Sequence, residues 1–205
     1  MKLFYSPPSP FARKVIVVLK ETNQINDVEL VNIKIGPLSS GQIIPPLNPL
    51  GKIPTLILPT GESLIDSKYI CRYFAERQNG ERAIKLYAKG KDVWRVLNFE
   101  ALGDGIMDAA ILLVYEERIR SEELRVQAWV DAQKLKITRT LDYLESNNQA
   151  LTAAVNMGNL TIAIALDYLD FRHKNISWRT NHPILTSWHQ EIKTRNSLVT
   201  TLPSD

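Results

Sequence analysis

The spacing of apolar residues changes character about 80 residues into the chain. Before that point they come in short blocks broken by prolines and polar turns; after it they recur every three or four residues over long stretches. The first part reads as alternating strands and helices. Residues 2–5 form a short apolar block that predicts a strand, 10–22 a longer apolar segment, and 28–33 a second strand, followed by a proline-punctuated loop. Two further strand segments, 55–58 and 63–65, flank the turn-forming Pro59-Thr60-Gly61, and a helix is predicted from Asp66 to about Arg77. The β-branched run 15–18 fits a buried strand as well as a helix, because periodicity does not separate the two. Ser9-Pro10 just before it decides for a helix, since serine is a preferred N-cap and proline suits the first helical position. The predicted order is β-α-β-loop-β-β-α.

Nine of the eleven prolines fall in the first 59 residues and the next is Pro183, which leaves 60–182 able to be helical. Phe99, Leu102, Ile106, Ala109 and Leu113 fall on one helical face, as do Val126, Val130, Ile137, Leu141 and Leu144. A third apolar stretch runs from Leu160 to Leu169, and a fourth holds Ile184, Leu185, Trp188 and Ile192. This half is predicted to be all helical. Between the halves, Gln78-Asn79-Gly80-Glu81-Arg82 has the composition of a helix end and a linker. The boundary is set near residue 80, with a first domain over 1–78, a linker over 79–87 and a helical domain over 88–205.

Composition narrows the function classes. The 205 residues are 44% apolar, 23% charged and 8% aromatic, which excludes a disordered or fibrous chain. Lys and Arg number 25 against 22 Asp and Glu, the net charge is +3, and the basic residues are scattered, so neither a nucleic-acid nor a membrane-surface partner is expected. The strongest apolar runs, 15–19 and 109–114, are far shorter than the roughly 18 residues of a membrane span. MKLFYSPPSP turns to proline after three apolar residues, too soon for a secretory leader's apolar region of about 7–15, and a cytoplasmic location is expected. A single cysteine, Cys71, excludes an intrachain disulfide, and three histidines without ligand spacing predict no metal.

Three features of the first half share one chemistry, the presentation of backbone N–H groups to an anionic or peptide-like ligand. In Ser6-Pro7-Pro8-Ser9-Pro10 a hydroxyl stands at a helix N-terminus, where the macrodipole stabilises a thiolate or carboxylate; Ser9 is equally read as a plain N-cap. In Asn48-Pro49-Leu50-Gly51-Lys52-Ile53-Pro54-Thr55 a turn runs into an X-Pro bond at the start of a strand. A cis bond there would turn Ile53 outward to pair with an extended peptide, while a trans bond is the commoner state. Asp66-Ser67 opens the last helix of the first half, where Ser67 and the first-turn N–H groups suit a carboxylate and Asp66 an α-amino group; capping accounts for the same pair.

In this order and spacing the strings LFYSPPSPFARKV, NPLGKIPTLIL and ESLIDSKYICRYF resemble the N-terminal domain of the cytosolic glutathione transferase family, and DGIMDAA, LTIAIALDYLDFR and HPILTSWHQEI extend the resemblance over essentially the whole chain. They look like a bacterial branch in which serine precedes the first helix. The resemblance implies a thioredoxin-like β-α-β-α-β-β-α domain followed by an all-α domain, and a cytoplasmic, homodimeric detoxification enzyme. Glutathione would be the co-substrate, its thiolate attacking a small hydrophobic electrophile. Ser9 would donate a hydrogen bond to the sulfur, with Ser6 as the other candidate. Ile53 would pair with the cysteinyl backbone, Pro54 would be cis, Asp66 and Ser67 would take the γ-glutamyl end and Lys52 would approach the glycyl carboxylate. The contrasting expectation is a binding or regulatory protein that keeps this fold without transferase activity. A thiol–disulfide reductase is disfavoured, because Ser9 stands where that chemistry needs a cysteine.

Other residues carry structural expectations. Arg13 is expected to be a structural partner, Cys71 a half-buried thiol, and Asp104 and Asp108, one helical turn apart, hydrogen-bonding residues rather than an acid–base pair. Tyr115 and Trp178 are candidates for an electrophile pocket, though core positions suit most of the aromatics. The family's capping box near Thr161 would need an acid three residues on, where this chain has Ile164, so Thr161 is expected to cap alone.

Overall fold

A computed structural model of the protein describes residues 1–78, 85–151 and 154–205. The chain forms two compact units, Met1–Leu86 together with Asn196–Asp205, and Tyr87–Arg195. The predicted linker over 79–87 falls largely on 79–84, outside the described residues.

The first unit is a four-stranded mixed sheet with helices. Strands β1 (Lys2–Tyr5), β2 (Glu29–Asn32), β3 (Thr55–Ile57) and β4 (Ser63–Ile65) are arranged β2-β1-β3-β4. β1 runs parallel to β2 and antiparallel to β3, which is antiparallel to β4. Helices α1 (Pro10–Glu21) and α2 (Ser67–Glu76) pack on one another. Alternation along β1 divides the core. Leu3 lies opposite Leu30 and Leu56, whereas Phe4 joins Ile33 and Ile44 in a second cluster with Val31, Leu47, Ile53 and Ile57. That cluster is closed by the segment between β2 and β3, a succession of turns where the family order implies a helix. Pro37, Pro45, Pro46 and Pro49 lack the N–H groups that a helix there would need.

The ten C-terminal residues, expected in the helical domain, belong to the first unit. The one-turn helix α7 (Asn196–Val199) packs along α1, with Leu198 fully buried. Arg13, itself buried, donates from Nη2 to the Leu198 carbonyl at 3.1 Å and from Nε to the Thr201 hydroxyl at 3.3 Å, and Ser197 donates to Glu21. The structural expectation for Arg13 thus has a definite form, a clamp on the returning chain.

The second unit is helical: α3 (Val93–Ile119), α4 (Gln127–Ser146), α5 (Met157–Arg172) and α6 (Pro183–Ile192). Every residue of α5 from Met157 to Leu169 is buried, marking it as the central helix. α3 lies close against it because two glycines leave room. A Cβ on Gly158 would stand 2.7 Å from the Phe99 Cβ, and one on Gly103 would stand 2.8 Å from the Thr161 Cγ2. Thr161 does not cap this helix. Asn156 is the N-cap, accepting from the Asn159 N–H at 3.1 Å, while Thr161 lies one turn inside and donates to the Met157 carbonyl at 2.7 Å. A threonine hydroxyl serves either purpose, and the helix starts one turn earlier than its apolar pattern indicates. Among the described residues no helix is long and apolar enough to cross a membrane.

Candidate functional site

Three excursions of the chain leave the sheet at the same end. Phe4 is opposite Thr55 and Thr55 is opposite Ile65, so the end of β1, the start of β3 and the end of β4 stand in one row. The turn after β1 leads to Ser9, the bond before β3 is Ile53-Pro54, and the residues after β4 are Asp66 and Ser67. Strand pairing therefore gathers these residues of the first unit along one sheet end, with Lys52 beside Ile53.

Ser9 caps α1 and Pro10 follows at its first position. The Ser9 oxygen accepts from the Ala12 N–H at 3.2 Å, which leaves the hydroxyl hydrogen able to donate outward. Ile53-Pro54 is cis, and Pro54 is buried. Ile53 is half-buried, and among the described residues its N–H and C=O make no hydrogen bond. Asp66, exposed at the N-cap of α2, sits at φ 70° and ψ 125° and accepts from the Lys68 N–H at 2.9 Å. A non-glycine residue at positive φ costs of order 1–3 kcal/mol and tends to persist where function requires it. Ser67 is buried, and neither its hydroxyl nor its N–H has a hydrogen-bond partner among the described residues. Lys52 is exposed.

Sequence reasoning missed what braces this arrangement. Asn48, 1% exposed, donates to the Lys52 carbonyl at 2.9 Å and to the Thr55 hydroxyl at 3.2 Å, and accepts from the Leu50 N–H at 3.0 Å. Thr55 also donates to the Lys52 carbonyl at 2.8 Å. Gly51, at φ 63°, is required by its conformation and because a Cβ would stand 2.1 Å from the Ser40 Oγ. The signal was present in Asn48-Pro49-Leu50-Gly51 as turn chemistry, but a turn residue's burial is not written in its identity.

The remaining candidates lie elsewhere. Ser6 lies in the turn before Ser9, and its carbonyl accepts from the Ser9 N–H at 3.0 Å. Cys71 is fully buried rather than half-buried. Asp104 and Asp108 lie on α3 in the second unit, half-buried and exposed respectively. Trp178 is buried, its indole N–H donating to Asp170 at 2.9 Å, and Tyr115 is 37% exposed, with enough of its side chain covered that desolvation pushes its phenol pKa upward.

Asp167, Asp170 and His189 bring ligand-type atoms within 4.8 Å of one another. Each already has a partner in the chain. His189 Nε2 lies 2.9 Å from Asp167, its Nδ1 faces Arg179 at 3.3 Å, and Arg179 engages Asp170 through both carboxylate oxygens. With Arg179 donating to Nδ1, the ring hydrogen belongs on Nε2, aimed at Asp167. The group is a closed structural network.

Residues 3–82 match the model of the glutathione S-transferase N-terminal domain. An Escherichia coli K12 protein described as the uncharacterized GST-like protein YibF is 34% identical over 99% of this chain and 98% of its own. A Pseudomonas fluorescens Pf-5 glutathione transferase family member, solved with bound glutathione, is 40% identical over 100% of this chain and 99% of its own, with a TM-score of 0.95. A glutathione S-transferase of Methylobacillus flagellatus KT, also solved with glutathione, is 32% identical over 99% of both chains, with a TM-score of 0.88. With a thioredoxin-like mixed-sheet domain, an all-helical domain and relatives matched end to end, the chain belongs to the glutathione S-transferase family.

Proposed function

We propose that this protein is a serine-type glutathione transferase that activates the glutathione thiolate for attack on a small hydrophobic electrophile. The observation that carries the reading is the row Phe4, Thr55, Ile65. Two inter-strand steps of about 4.8 Å span roughly 10 Å, the length of an extended tripeptide at about 3.4 Å per residue. Across that span the ligand meets the groups in order. Ser67 and the first turn of α2 hold the γ-glutamyl carboxylate, and Asp66 takes its amine. Ile53 pairs its N–H and C=O with the cysteinyl backbone as an added strand would. Lys52 attracts the glycyl carboxylate. Ser9 donates to the sulfur, at the positive end of α1.

An ordinary thiol has a pKa of about 8.5; a hydrogen-bond donor and a helix N-terminus both favour the thiolate, so more of it is present at neutral pH. The thiolate attacks the electrophilic carbon and the leaving group departs with the bonding electron pair. The protein supplies activation and positioning. The relatives solved with glutathione support binding of the same co-substrate here. The reading extends to a cytoplasmic homodimer with a detoxification role.

Titration with reduced glutathione at several pH values, reading the thiolate by its ultraviolet absorbance, tests the mechanism. Saturable binding with a lowered thiol pKa, abolished in Ser9→Ala, is expected. Binding without a pKa shift points instead to a glutathione carrier, and no binding points to a regulatory protein of this fold.

A further inference from the structure

Between α5 and α6 the chain folds over a cavity of about 370 Å³. All of its lining residues fall within 170–180, in the second unit, whereas the glutathione-facing groups named above lie in the first. Its back wall is part of the closed network around His189. Asp170 accepts from the Trp178 indole N–H and is engaged by Arg179 through both oxygens, while the Arg179 guanidinium carbon lies 4.1 Å from the centre of the Trp178 ring. Arg179 is thereby fixed in place, yet its side chain stays 37% exposed. The charge of Asp170 is spent on this pair, so it does not oppose an anion as a bare carboxylate would.

The rim is built differently. Lys174, Ser177 and Thr180 line the cavity at three-residue intervals, and the last two fall on one side of the short 3₁₀ helix Trp178–Asn181, where residues three apart eclipse one another. Among the described residues the Lys174 ammonium and the Ser177 and Thr180 hydroxyls make no hydrogen bond or ion pair. Two cations, Lys174 and Arg179, stand against the single acid Asp170, so the lining is positive. Ile176 adds an apolar side, and the volume is at the small end of the range for small-molecule sites.

This donor set selects among anions. A carboxylate offers two oxygens and one negative charge. A phosphoryl group offers three strong acceptor oxygens and a charge of about −1.5 to −2, and so accepts from one ammonium and two hydroxyls together. We propose that this cavity binds a phosphoryl dianion, free or carried by a small phosphate monoester, with Lys174, Ser177 and Thr180 donating to its terminal oxygens and Arg179 supplying a positive wall. The organic part of a monoester rests against Ile176.

Calorimetric titration of the full chain with inorganic phosphate and with glycerol 3-phosphate tests it, with acetate as the carboxylate control and glycerol as the uncharged one. At least one phosphoryl compound is expected to bind saturably and about tenfold or more tightly than acetate, with no binding of glycerol. Tighter binding of the ester assigns the site to monoesters; equal or tighter binding of inorganic phosphate assigns it to the free ion. Lys174, Ser177 and Thr180 are exposed, so their substitution leaves the fold intact, which the thermal midpoint checks. Lys174→Gln should weaken phosphoryl binding about tenfold, Lys174→Glu should abolish it, and Ser177→Ala combined with Thr180→Ala should weaken it about tenfold. The proposal is overturned if neither phosphoryl compound saturates, if acetate binds as tightly, or if the variants bind as the wild type does, which would place the anion elsewhere on the chain.

Discussion

Two sets of polar groups, one in each unit, are treated in opposite ways. In the helical unit several polar side chains are closed on partners within that unit. His189 meets Asp167, Arg179 meets Asp170, His182 meets Asp142 at 3.0 Å, and Glu145 accepts from the Ile184 and Leu185 N–H groups at 2.9 and 2.8 Å, capping α6 from a neighbouring helix. In the sheet unit the Ile53 backbone and the Ser67 hydroxyl are only partly accessible and yet unbonded within the described residues. A buried polar group without a partner costs free energy, so closed networks belong to stability and open ones await a ligand.

That contrast is broken most forcefully at Asp167. Asp167→Ala leaves His189 and its neighbours buried without their carboxylate and should destabilise the protein by about 3–5 kcal/mol, read from urea unfolding. Glutathione binding by the molecules that remain folded should be unchanged. Asn48→Ala removes a buried brace of the ligand-facing segment, with an expected loss of about 2 kcal/mol. Unlike Asp167→Ala it should also weaken glutathione binding, because the Lys52 carbonyl loses a donor. Gly158→Ala forces α3 and α5 apart at the Phe99 contact and should lower stability by about 1–3 kcal/mol, read from the shift in Tm.

A smaller effect is written in pH. His173 is buried with Nε2 donating to the Ala110 carbonyl at 2.8 Å, and burial pushes its pKa below the ordinary 6.5. The unfolded chain then binds a proton more readily than the folded one. The His173 contribution is therefore intact above about pH 6.5 and is lost as pH falls toward the lowered value. NMR titration of the imidazole should show it, and His173→Gln should remove that part of the pH dependence. Smallest in stability and sharpest in function is Ser67→Ala, expected to change unfolding free energy by less than about 0.5 kcal/mol while sharply weakening glutathione binding. A variant that binds glutathione as wild type does would remove Ser67 from the γ-glutamyl end.

Much of the fold was legible because its signals are local. Ser9-Pro10 marks the start of α1, Pro59-Thr60-Gly61 the hairpin between β3 and β4, and the three- and four-residue spacing the faces of α3 and α4. What escaped depends on contacts far apart in sequence. Asn48 gives no sign that it is buried, and Thr161 looks as good a cap as Asn156 until the backbone turn is seen. α7 is too short to show periodicity, and its place in the first unit rests on Arg13, 185 residues away from the Leu198 carbonyl it holds. The candidate site was legible as three local motifs. That they share one sheet end was not, since this follows from strand order and register.

The return of residues 196–205 to the first unit bears on how the protein is made. A ribosome adds about 5–20 residues per second, so Asn196 follows Leu86 by on the order of 10 s. Through that interval the sheet unit is a vessel with one wall missing: α1 is already synthesised, yet the flank that will hold Leu198 and clasp Arg13 stands open to chaperones and to neighbouring nascent chains. Residues 196–205, made after the helical unit, are thus needed to complete the sheet unit made before it.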